Sequence, residues 1–376
     1  MSLAKRVALY EKIESHRKRP LIVYVTSKRS GVASMMSSDA LPYLIRQIDE
    51  LPPETKELDF LIASYGGDPM VAWRISTLLR QRVEKVSVLI PQSAYSAATL
   101  VALGANEIFM HPNGHLGPVD MQIATTDDSG QPRRFSTEDI SAFLDFVRDN
   151  LKITDQKHIR ALFEVTCREV GSLGIGFTAR SSKLAIDLGE RLLGLHMKDD
   201  DSRSKLKIIV ENMSRKFQSH AYPVNREEAK ELGLPVNPER DETLEKLMWE
   251  TWLLLEEELK ENEPFDPICE LLNSSEANKL LSPVSQLDLP LCASATADFH
   301  TTIADVFSNA TKVEPVDFEF EDAIVESKRC SYAHVIKGKI LSHRTPDLVI
   351  RYHVVIKSSL WEKVEIPAHL KGEEAS

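Results

Sequence analysis

The sequence has few cysteines, and their spacing gives them no evident structural task. The four, Cys167, Cys269, Cys292 and Cys330, form no CxxC pair and lie near no pair of histidines. A disulfide framework or a structural zinc site needs such spacings, so we expect reduced, structural thiols. The motifs HExxH and GxxxxGK[ST] are absent too, which argues against a catalytic metal and against an internal ATPase. We therefore predict no metal and no cofactor.

Long apolar runs are also missing. Runs such as 86–90 and 100–103 are far shorter than the roughly 20 residues that a membrane-spanning helix needs. The N-terminal segment carries charges inside any apolar core and has no small-residue cleavage site, so it does not resemble a secretory signal. These absences predict a cytoplasmic protein without a transmembrane segment.

An excess of basic charge is lacking as well, since 46 Lys and Arg oppose 57 Asp and Glu and the formal net charge is -11. Nucleic-acid binders usually need a basic surface, so we predict no nucleic-acid partner. The charge is unevenly spread: residues 1–34 hold eight Lys or Arg against two Glu, whereas residues 256–266 hold six acids and one Lys. The basic arm is either a solvated helix or a contact site for an acidic partner or a membrane surface.

Short apolar runs alternate with helical patterns in the first part of the chain. This alternation predicts right-handed βαβ crossovers and a mainly parallel sheet, whose ligands lie beyond the carboxyl ends of the strands. From about residue 135 to 262 the periodicity is helical, including the stretch 183–196. The predicted strands of the sheet are 21–26, 58–63, 86–90 and 107–110.

The composition changes near residue 264. A segment rich in Pro, Asn and Ser is followed by alternating stretches that predict antiparallel strands at 318–326, 332–340 and 348–356. We predict an α/β domain at 1–263, with an N-terminal helix, and a smaller β-rich domain of unknown role at 264–376.

A glycine pair, Gly66 and Gly67, stands between the second predicted strand and a helix that begins at Asp68 and Pro69. Such a pair gives the backbone freedom for an unusual turn and leaves N–H groups free at the positive end of a helix, as an oxyanion hole requires. Many glycines in such turns serve only steric needs, so the pair alone leaves both interpretations open.

Ser96 lies in the next turn along the same predicted edge, directly before the small residues Ala97 and Ala98. Its hydroxyl would lie at a helix start near the same crevice. A serine there also makes an ordinary N-cap, so this position too has two interpretations.

Taken together, these motifs resemble a known superfamily. YGGDPMVAWRI, followed by QSAYSAATLVALGANEIFMHPNGHLGPVD and then by SHAYPVNREEAKELGL, is similar to the Clp-protease/crotonase superfamily. The likeness is greatest to the serine proteases around signal peptide peptidase A and to the serine dehydrogenase proteinases. It covers roughly residues 20–235 and implies a Clp-protease/crotonase-like βαβ superhelix with added helices.

The resemblance implies that Ser96 is the nucleophile and that the oxyanion donors are the amide of Gly67, with those of Gly66 and Ala97. Ser93 is the second-choice nucleophile in the same turn. The chain departs from the family pattern at two places. Many relatives have Pro where this chain has Tyr65 and Gly where it has Ala98, and a β-carbon at 98 could crowd the approach to the helix.

The general base is harder to assign. A serine hydroxyl needs a neighbouring His or Lys to remove its proton. The position of the Clp-protease histidine falls near Val119 or Asp120, and His115 is expected on the opposite side of the turn. His220, oriented by Asp120, is the candidate that we prefer, although His220 is equally explained as a helix-terminating residue. A Ser-Lys dyad is the competing arrangement, with Lys152, Lys157 and Lys183 unranked.

The sequence therefore predicts a serine peptidase that forms an acyl-enzyme on Ser96 and cleaves peptides or unfolded protein. The resemblance also implies a homo-oligomer, with the amphipathic helices at 136–218 as candidates for the contact. Two alternatives stay open: a catalytically inactive Clp-like interaction module, and a crotonase-type enzyme acting on acyl thioesters.

Overall fold

A computed structural model describes residues 2–119, 122–126, 132–215, 217, 219, 221–275, 277, 314–344 and 350–367. The first elements are α1 (Ser2–Arg17), β1 (Leu21–Thr26), α2 (Leu41–Asp49), β2 (Glu57–Ala63), α3 (Pro69–Arg82), β3 (Lys85–Ile90), β4 (Ser93–Ala94), α4 (Ala97–Leu103), β5 (Glu107–Met110) and β6 (His115–Leu116). They are followed by β7 (Gln122–Thr126), β8 (Pro132–Ser136), α5 (Thr137–Asp145), α6 (Gln156–Val170), α7 (Ser172–Leu193), α8 (Asp200–Arg215), α9 (Arg226–Glu231), α10 (Glu242–Glu258), α11 (Pro267–Asn273), β9 (Val316–Glu326), β10 (Ser331–Arg344) and β11 (Ile350–Val364).

The predicted fold class is confirmed. The strands β1, β2, β3 and β5 are parallel neighbours, and the C-terminal strands are antiparallel. The seven-stranded sheet runs in the order β11-β10-β9-β1-β2-β3-β5. Short helices connect the parallel strands, as the alternation of apolar runs and helical patterns predicts.

Helices cover both faces of the parallel part of the sheet. On β1, Ile22 and Tyr24 belong to the core cluster that contains side chains of α2, α3 and α4. Leu21, Val23 and Val25 belong to the opposite cluster, which contains side chains of α1 and α10. A strand buried on both faces cannot alternate polar and apolar residues, and this explains the uninterrupted apolar run at 21–26.

The C-terminal strands extend this sheet. β9 pairs antiparallel with β1, with Val23 opposite Glu326, and β10 and β11 follow outward. The predicted division at residue 264 stays a prediction about folding units. In the structure, however, the strands beyond that division add to the sheet that the N-terminal residues begin.

Two helices differ from the sequence prediction. α7 begins at Ser172, eleven residues before the predicted 183, and it runs through Gly174 and Gly176 despite the low helix propensity of glycine. α11 was not predicted, although Asp266 caps it by accepting a hydrogen bond from the amide of Ile268 at 2.7 Å.

A buried carboxylate joins the N-terminal helix to β9. Glu326 is fully buried and accepts a hydrogen bond from Arg6 Nε at 2.7 Å. Tyr10 Oη also donates to it, and Ser331 Oγ donates at 2.9 Å. A charge without water is tolerated only when it is paired and hydrogen-bonded, so these partners make the junction between α1 and β9 specific.

Arginines of the basic arm, residues 1–34, form ion pairs within the protein. Arg17 Nε lies 3.0 Å from Asp59 Oδ2, and Arg19 Nη2 lies 2.8 Å from Glu57 Oε2. With Arg6, three arginines of the arm therefore neutralise carboxylates of the sheet. This use explains the local excess of positive charge without an external partner.

Replacing Arg6 by Met should lower the free energy of unfolding by about 3–5 kcal/mol, because it leaves the Glu326 charge buried without its cation. The double variant Arg6→Met/Glu326→Gln should recover part of this loss, since neither residue of the pair is then charged. Urea denaturation measures both changes. As a control, Lys56→Met removes an ion pair whose members are 73% and 70% exposed, and it should leave stability nearly unchanged. Equal effects of Arg6→Met and Lys56→Met would contradict the buried-charge argument.

Candidate functional site

Three loops meet at one edge of the sheet because β1, β2 and β3 are parallel. The segment after β2 lies in the middle: Gly67 forms a bridge with Met36, which follows β1, and Ser64 forms one with Ala94, which follows β3. The glycine turn is thus flanked by the loop after β1 on one side and by the segment that leads to Ser96 on the other.

The glycine turn touches the Ser96 turn. Gly66 has φ 97° and Gly67 has φ 154°, in the region that favours glycine. A β-carbon on Gly66 would lie 2.8 Å from Ser96 Cβ and 2.9 Å from the amide nitrogen of Ala97. No side chain fits in that space, so Gly66 permits the close approach of the two turns.

The direction of the amides differs between the two glycines. Met36 donates to the carbonyl of Gly66 at 2.7 Å, and Asp68 donates to the carbonyl of Met36 at 3.0 Å. Because the C=O and N–H of a trans peptide unit point in opposite directions, the N–H of Gly67, which shares a peptide unit with the Gly66 carbonyl, faces away from Met36, toward the Ser96 side. Among the described residues, the amides of Gly67 and Ala97 have no hydrogen-bond acceptor.

The expectation that the amide of Gly66 is an oxyanion donor needs correction. The amide of Gly66 donates to Ser64 Oγ at 3.0 Å, so its N–H is already used inside the turn. Gly66 contributes space rather than a hydrogen bond, and the amides of Gly67 and Ala97 are the two that stay available.

Ser96 has an unusual backbone and a hydroxyl without a capping role. Its φ of 52° and ψ of -115° lie in a region that residues with a β-carbon rarely adopt, and its side chain makes no cap hydrogen bond to α4. The ordinary N-cap interpretation is therefore wrong. Ser96 is half-buried, and its hydroxyl bonds no residue that the structure describes. Strained strand-to-helix turns of this kind are typical of nucleophilic serines.

Aromatic rings line the same turn. The rings of Tyr65 and Tyr95 meet edge to face at 5.6 Å, and Tyr95 meets the His115 ring at 5.4 Å. A β-carbon on Gly117 would fall 1.8 Å from Tyr95 Cδ1, so the loop of the LGP motif, residues 116–118, supports this ring. His115, which was not preferred as the general base, thus lies next to Tyr95, the residue that precedes Ser96.

Ser93, the second-choice nucleophile, is fully buried. Its hydroxyl donates to Gln92 Oε1 at 2.5 Å and accepts from Lys28 Nζ at 3.3 Å. The Ser93 hydroxyl is buried and already hydrogen-bonded, whereas the Ser96 hydroxyl is on a half-buried residue and bonds no residue that the structure describes. The sequence analysis missed Lys28, although it follows the end of β1 as Gly66 follows the end of β2, and the same edge argument would have found it.

The structure does not describe the residues of the preferred general base. His220 and Asp120 both lie outside the described residues. Their neighbours are described: the amide of Leu116 donates to the carbonyl of Val224 at 2.9 Å, and the amide of Val119 donates to the carbonyl of Met213 at 3.1 Å. The lysines of the competing dyad, Lys152, Lys157 and Lys183, are exposed. Within the described ranges, no His or Lys nitrogen hydrogen-bonds to Ser96 Oγ.

Two further observations concern the part of the chain that the structure describes. It contains no group of three or more His, Cys, Asp or Glu side chains arranged to hold a metal ion. None of its helices is both long enough and apolar enough to cross a membrane.

Comparison with known families agrees with this geometry. Residues 4–131 match the model of a family described as ClpP-like SDH-type serine proteinase. The matched range includes the glycine turn, Ser96 and the LGP loop. The resemblance predicted from the motifs is confirmed over these residues.

Two curated relatives, both uncharacterized proteins of Methanocaldococcus jannaschii, match about half of the chain. MJ1495 is 30% identical over 187 residues, 50% of this chain and 54% of that protein. MJ0137 is 28% identical over 196 residues, 52% of this chain and 59% of that protein. The chain thus matches little more than half the length of these relatives.

A solved structure of the 1510-N membrane-bound stomatin-specific protease, in a serine-to-alanine mutant, also matches. It is 15% identical, with a TM-score of 0.33, and covers 58% of this chain and 81% of that one.

Replacing Gly66 by Ala should lower the free energy of unfolding by at least about 1–3 kcal/mol, because the positive φ is strained and the new β-carbon meets Ser96. The matched control is Gly176→Ala in α7, where a β-carbon would meet nothing within 4 Å. That substitution should stabilise the protein by up to about 1 kcal/mol. Chemical denaturation of both variants tests the pair, and a neutral Gly66→Ala would contradict the close approach.

Proposed function

We propose that this chain, whose residues 4–131 match the ClpP-like SDH-type serine proteinase family, is a serine peptidase that hydrolyses peptide bonds through Ser96. One observation carries the proposal. The Ser96 hydroxyl is unbonded within the described residues and stands on a strained turn against Gly66, with the N–H of Gly67 directed to the same side. A nucleophile beside a donor for developing negative charge is what acyl transfer requires.

The proposed reaction begins with attack of Ser96 Oγ on the peptide carbonyl carbon. The carbonyl oxygen becomes an oxyanion, which the amides of Gly67 and Ala97 stabilise. Collapse of this intermediate breaks the C–N bond, the amine leaves with the proton that the general base took from Ser96 Oγ, and an acyl-enzyme remains on Ser96. Water then attacks the ester by the same route and releases the acid product.

For the base we keep His220, oriented by Asp120, as a proposal. Hydrogen bonds on both sides of the LGP loop support it. Leu116, in β6, bonds to Val224, four residues after His220, and β6 pairs with β4, which leads to Ser96. Val119, directly before Asp120, bonds to α8. These contacts bring the flanks of both residues toward the Ser96 turn.

An extended peptide or an unfolded segment is the proposed substrate. Large apolar side chains around the glycine turn support this choice: Met35 is 66% exposed, Tyr65 is 56% exposed and Met70 is 42% exposed. Exposed apolar groups that flank a reactive turn are suited to bind the side chains of a bound peptide. No nucleic-acid partner is proposed.

Homo-oligomer formation is also proposed, with the helices α5 to α8 as the contact. None of the described side chains of α6 is buried, Phe163 is 48% exposed and Leu173 is 88% exposed. Native mass spectrometry should show an assembly that the double variant Phe163→Ser/Leu173→Ser reduces to smaller species. A wild-type monomer at micromolar concentration would contradict this contact.

A catalytically inactive interaction module is the second candidate. It is favoured by the observation that, in the described part of the chain, Ser96 Oγ has no His or Lys partner. Such a protein would keep the fold and the turn but lack a group that removes the serine proton. Reactivity of Ser96 decides between the two functions.

Wild-type protein should react with a fluorophosphonate probe at Ser96, and Ser96→Ala should abolish this labelling because the nucleophile is gone. Ser204→Ala, which removes an exposed hydroxyl on α8, should label as the wild type does. Peptide mapping by mass spectrometry identifies the modified residue. Equal labelling of wild type and Ser96→Ala would overturn the assignment of the nucleophile.

The same assay tests the base. His220→Ala should slow labelling by about 10²- to 10⁴-fold, whereas Asp120→Asn should slow it less, since it only orients the imidazole. Each of Lys152→Met, Lys157→Met and Lys183→Met should label normally. Loss of labelling in one of these lysine variants, with His220→Ala unaffected, would favour the Ser-Lys dyad instead.

A further inference from the structure

A buried lysine contacts the segment that leads to Ser96. Lys28 follows β1, and its side chain is only 5% exposed. Lysine is seldom found in such surroundings, because removing an ammonium group from water costs free energy unless partners compensate. The proposed reaction uses neither its charge nor its contacts.

On one side, Lys28 holds the residues that lead to Ser96. Its Nζ donates to Ser93 Oγ at 3.3 Å and to Gln92 Oε1. Gln92 and Ser93 lie two and three residues after the end of β3, and their carbonyl groups accept hydrogen bonds from the amides of His115 and Ser64. The ammonium group thus fixes the side chains of a segment whose backbone is already held.

On the other side, Lys28 contacts the end of α10 and the residues after it. Nζ lies 3.6 Å from Glu261 Oε2 and 3.8 Å from the centroid of the Trp252 ring. The amide of Lys28 donates to Glu261 Oε1 at 3.0 Å. The Tyr65 ring, which precedes the glycine turn, has its centroid 5.8 Å from Nζ. One ammonium group therefore connects α10 with both turns of the site.

Lys28 titrates within an accessible range. Burial lowers its pKa to about 8, against the opposing pull of Glu261 and Glu256. Burial also raises the pKa of Glu261. In the part of the chain that the structure describes, Tyr65 and His115 also face Lys28, and burial lowers the pKa of the His115 imidazole. The charge on Lys28 is thus present below about pH 8 and lost above it.

We infer that Lys28 is a positioning residue of the proposed serine site: its ammonium group anchors Gln92 and Ser93 and thereby holds the strained turn that carries Ser96. A strained backbone persists only when its surroundings hold it in place. Lys28 supplies that hold through the buried Ser93, three residues before Ser96. The inference rests on the proposed function, since it concerns the reactivity of Ser96.

The first test is the rate of fluorophosphonate labelling of Ser96 as a function of pH. Lys28→Met should slow the labelling step about tenfold to a hundredfold, with little change in probe affinity, because misplacement of a nucleophile affects the reacting geometry. In wild type this rate should fall as the pH rises through about 8. Lys28→Arg keeps a charge that does not titrate there, so its rate should not fall.

The second test does not depend on activity. Hydrogen exchange, measured by mass spectrometry, should be faster in residues 93–98 of Lys28→Met than in wild type. Lys246→Met is the matched control: its side chain is 76% exposed on α10, and it should change neither the exchange nor the labelling. Ser93→Ala keeps the charge and removes one anchored group, so it should give a smaller increase in exchange.

The outcomes separate the two ideas. If wild type labels at Ser96, an unchanged rate and pH profile in Lys28→Met overturns the positioning role and leaves the proposed function standing. If wild type does not label, the proposed function fails, and the exchange of residues 93–98 still decides whether Lys28 anchors the turn. Unchanged exchange in both Lys28→Met and Ser93→Ala overturns the inference in either case.

Discussion

The parallel pairing of β1, β2 and β3 is the constraint on which the candidate site depends. It brings the carboxyl ends of the three strands to one edge, so Lys28, Gly66 and Ser96 lie at the same edge although they are far apart in sequence. The pairing continues into the loops through the bridges of Met36 with Gly67 and of Ser64 with Ala94. These bridges continue the spacing of the strands into the glycine turn and into the segment before Ser96. The strand pairing therefore positions the turn that carries Ser96.

The antiparallel half of the sheet depends on a different interaction. β9 adds to the free edge of β1, and the buried contact of Glu326 with Arg6 and Tyr10 ties that edge to α1. A carboxylate with such partners discriminates against any register that moves it away from them. The C-terminal strands thus stabilise the strand that precedes Lys28, which makes the distant end of the chain a support of the site.

Local sequence patterns predicted much of this structure. The apolar run at 21–26 became β1 without a change of bounds, and the glycine turn and Ser96 were expected at a common edge and do touch. Lys28 follows β1 at the same edge and could have been found, but the place of His115 was missed for a physical reason. It depends on which segments pair, here Ser93 opposite His115, and no local periodicity encodes a pairing between residues in separate loops. The attachment of β9 to β1 is non-local in the same sense.

The departure from the family pattern at residue 98 can now be judged physically. Ala98 is fully buried in the main core cluster, and its amide donates to the carbonyl of Tyr95 at 2.9 Å. Its β-carbon therefore packs among the helices, and it does not narrow the approach to Ser96 from the glycine turn. Alanine also favours a helix more than glycine does. The substitution strengthens α4 where the strained Ser96 must be held, so it is compatible with a reactive serine rather than evidence against one.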